Sequence, residues 1–244
     1  MQRRRRTTGG NAALRAAYSY ALGGWDTSTY LATANPGGIA GGAAAGVSVV
    51  VAFRLNALPV ANFQYLADRR AGNSGWMLRA DSSSGLTFFA GNGAGLATKT
   101  KFFAAGDVGK FHVVAGTANL TTMNLFYDRS DIGSSALVGY AAASARTSVG
   151  SNGLSNAGAA YEILGLAGRN SPLTLADYQT ICDATKLAGV LALGGITMEH
   201  SWSALQSPNV PSTFSDGIGS DALTFVNGSA ANLTSVRYPR LWGF

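Results

Sequence analysis

From Gly46 onward the chain is written as short β-branched and aromatic runs cut apart by Gly, Asn, Asp and Ser. Such punctuation specifies strands and turns. Val47–Leu55 (VSVVVAFRL) is almost continuously apolar, as a strand covered on both faces has to be. Phe63–Ala67, Trp76–Ala80, Leu86–Ala90, Phe111–Thr117, Met123–Tyr127 and Tyr161–Leu166 follow as further strands. Turn signals at intervals of about 8 to 15 residues suit a sandwich or jelly roll rather than alternating βαβ units.

Two hairpins are legible. Ser82-Ser83-Ser84-Gly85 separates WMLRA from LTFFA, and Asn119–Thr122 separates FHVVAGT from MNLFYD; both lengths join antiparallel neighbours. One amphipathic helix interrupts the pattern, near residues 174–187. Thr174 is placed to cap it, Asp177 lies in its first turn, and Leu175, Tyr178, Ile181, Cys182 and Thr185 form one stripe. Gly189 ends it. Leu223–Val226 is the clearest strand of the C-terminal region, and Ala12–Leu22 is compatible with a short helix.

The expected fold is therefore all-β: a two-sheet antiparallel jelly-roll sandwich with one short helix and extended N- and C-terminal segments. The segments are 1–45, a basic and Gly-rich arm with the first strands; 46–195, the sandwich; and 196–244, C-terminal strands and a docking tail. At 244 residues a single core is ordinary.

The formal net charge of +6 is a property of one end, since Arg3, Arg4, Arg5, Arg6 and Arg15 account for five of the six. Charged residues make up only 12% of the whole, so the body of the protein presents a neutral polar surface. The arginine run can meet nucleic-acid phosphates or an acidic partner surface. Cys182 is the sole cysteine, which excludes an intrachain disulfide and makes it a small core residue. Thr7–Asn11 is polar where an export signal would turn apolar, and Ile39–Phe53, the least polar stretch, falls short of the ~18 apolar residues a spanning helix needs. Neither export nor a membrane span is expected.

Several segments, in order, resemble the laminin-G-like members of the concanavalin A-like lectin and glucanase superfamily. Gly109-Lys-Phe-His-Val-Val-Ala-Gly-Thr117 is similar to a strand of that family in which an aromatic precedes histidine, valine and alanine. Asn124–Asp128 with Arg129-Ser130 resembles its next strand and turn, without the usual glycine. Tyr161–Gly168 followed by Ser171–Tyr178 resembles its late strand and closing helix. The resemblance covers about residues 46 to 188 and implies a jelly roll, a fold that hosts lectins, hydrolases and structural modules alike.

The glucanases of that superfamily carry a Glu-X-Asp-X-Glu strand, and here Glu162 and Glu199 are the only glutamates, with no such strand. His112 and His200 lack neighbouring ligands at metal spacing; His112 reads as a satisfied strand histidine. Asp68, Asp81, Asp128 and Asp131 are the available calcium oxygens, but a turn aspartate ordinarily caps its own backbone. No enzyme, cofactor or metal is expected. For a glycan, which needs a stacking aromatic beside polar groups, Asp68, Arg69, Asn73 and Trp76 form the best linear candidate; the alternative is a hairpin entering a core strand with Trp76 buried.

Two functions follow as expectations. The first is a non-enzymatic assembly protein on the outside of a large particle, a bacteriophage virion protein of the capsid or tail. Its Arg3–Arg6 arm, and a tail of Arg237, Arg240, Trp242 and Phe244, would dock on neighbouring subunits of a homo-oligomer or virion, with nucleic acid reached only through the arm. The second is a lectin-like adhesin or receptor-binding module that holds host polysaccharide at a cell surface.

Overall fold

In the computed structural model the sequence's most apolar run, Val47–Leu55, is a strand (β3) at the heart of one of two antiparallel sheets. The structure describes residues 18–23, 25–26, 28–34, 39, 45–60, 64–83, 85–150, 160–183, 196–201, 213–214, 222–227 and 233–237. The other strands are β1 Tyr18–Leu22, β2 Tyr30–Ala32, β4 Gln64–Ala71, β5 Ser74–Ala80, β6 Gly85–Gly91, β7 Leu96–Phe102, β8 Phe111–Ala118, β9 Thr122–Tyr127, β10 Ser130–Ala136, β11 Ser148–Val149, β12 Tyr161–Arg169, β13 Ile196–Ser201, β14 Thr213–Phe214, β15 Leu223–Val226 and β16 Leu233–Arg237. One sheet runs β10-β9-β8-β3-β12-β1-β16, with β13 also on β12; the other runs β14-β15-β2-β11-β4-β5-β6-β7. This is the expected all-β jelly-roll sandwich, with one α-helix among the described residues.

Alternation along each strand sorts core from exterior. Val47, Val49, Val51, Phe53 and Leu55 of β3 face inward and share a core with Leu66, Trp76, Leu78, Leu86 and Phe88 of the opposite sheet. Gly116 on β8 is what lets Phe88 in: a Cβ there would lie 2.2 Å from its ring. The other face of β3 is apolar for a separate reason. Val50, with Ala115, Phe126 and Ala167, is covered by Leu173 and by Tyr178, Ile181 and Cys182 of the helix α1, Leu175–Asp183. A strand between a second sheet and a helix must be apolar on both sides, which is why VSVVVAFRL does not alternate.

The start of α1 is fixed by a reciprocal cap. Thr174 Oγ1 accepts the Asp177 N–H at 3.1 Å, while the Asp177 carboxylate accepts the Thr174 N–H at 3.1 Å and an Arg169 guanidinium N–H at 2.8 Å. Partial burial pushes the Asp177 carboxyl up, but these donors outweigh it and hold it below the usual range. Thr174→Ala should cost about 1 kcal/mol, a fall in melting temperature of about 2–4 °C readable by calorimetry.

Both expected hairpins are present, as β5–β6 and β8–β9. Several strands were not read from the sequence, β2, β11, β13, β14 and β16 among them, and β1, β7 and β10 show why. Tyr18–Leu22 is extended, not helical, because β1 lies between β12 and β16, with Tyr18 through Leu22 all paired to β16; non-local pairing overrides the local preference of an Ala-rich segment. β7 and β10 are the edges of their sheets, where polar residues replace an apolar run. Their edges are guarded: Lys101 of β7 turns its ammonium to 5.0 Å from the Tyr127 ring and 3.6 Å from Asp107, and the Ser135 hydroxyl of β10 donates to the Thr98 carbonyl at 2.8 Å. The expected helix residues 184–187 lie outside the described residues.

Candidate ligand-binding face

Each strand of a half-covered sheet sends alternate residues outward, so a doublet of identical large residues divides between core and surface. Two such doublets occur here, on neighbouring strands. Phe88 is wholly buried while Phe89 is half-buried; Phe103 is 7% exposed while Phe102 is 61% exposed. The register pairs Phe89 with Thr98 and Phe102 with Gly85, which puts both outward rings on the exterior of β6 and β7.

On this face Phe89 lies between Met77 of β5, which is wholly buried, and Thr98 of β7. Arg79 of β5 lays its guanidinium carbon 4.5 Å from the Phe89 ring centroid, a cation–π stack. Thr87 and Thr100 face each other across the β6–β7 pair with hydroxyls 2.7 Å apart, and Thr98 beside them is exposed. Gly85 has no side chain to lift Phe102 away: a Cβ there would meet Phe102 Cε1 at 3.3 Å and Thr100 Cγ2 at 2.9 Å. Along β5, β6 and β7 this exterior carries one ionisable side chain, Arg79, among hydroxyls and aromatic rings.

The linear candidate at 68–76 is dispersed by the fold. Trp76 is wholly buried in the sandwich core, its indole N–H donating to the Ile39 carbonyl at 2.8 Å, so it has no face to offer a sugar. Arg69, register-paired with it, is buried beside the Ala143 carbonyl and the Thr147 hydroxyl, and Asp68 is buried opposite Met77 and Ser148. Asn73 alone of the four is exposed, at the β4–β5 turn, and its amide donates to the Ala94 carbonyl at 2.9 Å, lashing that turn to the β6–β7 turn. Arg237 ends β16 opposite Tyr18. Arg3, Arg4, Arg5, Arg6, Arg240, Trp242 and Phe244 lie outside the described residues.

The acidic residues are engaged locally. Asp81 Oδ1 accepts the Ser83 N–H at 3.0 Å and its hydroxyl, and Asp131 Oδ1 accepts the Gly133 N–H at 2.6 Å. Glu162 pairs with Arg54 at 3.5 Å. Asp128 takes His112 Nδ1 at 2.7 Å and the Val113 N–H at 3.0 Å. Among the described residues no three His, Cys, Asp or Glu side chains are grouped to hold a metal ion.

No protein-family model and no curated protein sequence matches the chain. Solved structures do match. A Bacteroides ovatus protein provisionally described as carbohydrate binding superposes with a TM-score of 0.65 at 10% identity over 93% of this chain. The chain covers 62% of that protein. A native heptameric SAP-like pentraxin from Limulus polyphemus superposes with a TM-score of 0.52 at 13% identity, covering 87% of this chain and 96% of the pentraxin chain. At such identities the likeness establishes the jelly-roll fold.

Proposed function

We propose that the chain is a lectin-like module of the concanavalin A-like type, which binds carbohydrate on the exterior of β5–β7 and does not act on it chemically. The observation that carries this reading is the outward face of β5–β7, where exposed Phe102, half-buried Phe89 and the Arg79 stacked on it surround the Thr87–Thr100 hydroxyl pair. Sugar rings present an apolar C–H face and a rim of hydroxyls, and that is the complement of an aromatic surface edged with hydrogen-bonding groups. The carbohydrate-binding description of the Bacteroides ovatus neighbour supports the same reading. Neither neighbour is described as a virion protein, and the arm and most of the tail on which an assembly role rests lie outside the described residues.

A glycan array with the intact chain tests the proposal. Saturable binding to at least one glycan is expected, weakened about tenfold or more, roughly 1.4 kcal/mol, in the Phe89→Ala/Phe102→Ala double variant. Both rings lie outside the core, so the variant should melt close to the parent. Silence across the array, or binding that the double variant leaves intact, would overturn the proposal.

A further inference from the structure

The spacing of the two rings limits what can lie across them. Phe102 sits opposite Gly85 and Phe89 lies four positions further along the same strand, so the two residues are set about 14 Å apart in backbone position along the strand direction at ~3.4 Å per residue. One hexose ring is far shorter than this. A terminal sugar can therefore rest on one aromatic or the other but cannot touch both.

The floor between the rings is built of small side chains, with Thr87 itself buried. Thr87 and Thr100 occupy it with their hydroxyls bonded to each other at 2.7 Å, and no larger side chain of β6 or β7 stands between the two phenylalanines on this face. Gly85 keeps the Phe102 end low, since a side chain there would push into Thr100 and Phe102. The two ends also differ in chemistry. Phe102 is an open apolar ring, whereas Phe89 is half-buried and carries the Arg79 guanidinium on its ring.

Resting on the lectin-like reading above, we infer that this face takes an extended oligosaccharide laid across the β6–β7 pair, with one sugar on Phe102 and another at the Phe89–Arg79 stack, rather than a terminal monosaccharide. Affinity then depends on chain length, because a second stacking contact becomes available only when the ligand spans both rings.

Titration calorimetry of the intact chain with cello-, xylo-, manno- and chito-oligosaccharides, each from monosaccharide to hexasaccharide, reads this directly. At least one series should gain about tenfold or more in affinity before reaching a plateau. Phe102→Ala should flatten that rise, so that the hexasaccharide gains little over the shortest ligands. A monosaccharide that binds as tightly as the hexasaccharide, through a site lost in the Phe89→Ala/Phe102→Ala variant, overturns the inference and leaves the lectin reading intact. Failure of every series to bind also overturns it; whether the lectin reading falls as well is read separately, from silence on the array.

Discussion

Trp76→Ala is expected to cost about 3–5 kcal/mol of stability and to lower the melting temperature by about 10 °C. The indole is wholly buried at the centre of β5, in one core cluster with Val49, Phe53, Leu78 and Phe88, so its removal opens a cavity that two sheets cannot both relax into. The cost has a second component. The Ile39 carbonyl loses the N–H that satisfies it at 2.8 Å and is left buried without that donor. Trp76→Phe separates the two, because it retains most of the apolar volume and deletes the hydrogen bond; an intermediate loss, about 1–2 kcal/mol, is expected by chemical denaturation. A Trp76→Ala protein that melts like the parent yet no longer binds glycan would place this residue at a binding site and remove it from the core. For the same reason, loss of sugar binding in Trp76→Ala alone is no proof of contact, and the exposed phenylalanines are the informative positions.

The strands were legible where burial on both faces or strict alternation wrote them into the sequence. Val47–Leu55 has the bounds expected of it because the helix covers one side and the second sheet the other. The edge strands β7 and β10 were not legible, because LATKTKF and SDIGSSA satisfy an edge with lysine, serine and threonine and so lose the apolar signature. β1 was hidden for the opposite reason: its neighbours β12 and β16 come from the far end of the chain, and a local reading has no access to them.

The candidate face shows the same division. Asp68–Trp76 looked like a sugar site because polar and aromatic residues adjoin in the sequence, but adjacency along a strand is the wrong measure. Trp76 shares parity with Leu78 and Ala80 and therefore faces inward with them. The signal that does locate an exterior aromatic surface was present in Phe88-Phe89 and Phe102-Phe103, since consecutive phenylalanines in a strand point to opposite faces and only one of them meets the inter-sheet core. What the doublets could not supply was the register that brings Phe89 and Phe102 onto one face, with Arg79 beside them; that is fixed by the β5–β6 and β6–β7 pairings.

Stability is also expected to decline as pH rises past neutrality, through His112. Its ring is buried at the end of the sandwich, stacked on Tyr127 at 5.1 Å and tilted against Phe53 at 5.6 Å. Nδ1 lies 2.7 Å from the Asp128 carboxylate and Nε2 lies 2.9 Å from the Asp107 carbonyl. Both partners are acceptors only, so both ring nitrogens must carry protons, and the bonded species is the imidazolium. Burial pulls the His112 pKa down, but the Asp128 carboxylate and the Asp107 carbonyl outweigh it and raise it above the ordinary 6.5. A folded-state pKa raised in this way gives stability that is fully present below the unfolded value and is lost as pH climbs through the folded one. Deprotonation sets a ring lone pair against one of the two acceptors, loosening either the Ala105–Asp107 turn or the β9–β10 turn. The latter is the more consequential, because Asp128 and Arg129 hold left-handed backbone there and Arg129 is tied to the helix through Asp183 and Gln179. Melting curves of the parent should therefore fall steadily from about pH 6.5 upward, whereas His112→Gln should start about 1.5–3 kcal/mol lower at pH 6 and converge on the parent as pH rises. His200 is common to both proteins and cancels in the comparison. A parent curve level across this range, or a His112→Gln curve parallel to it, would show that the imidazole is held neutral and that the clasp between the two turns does not depend on its charge.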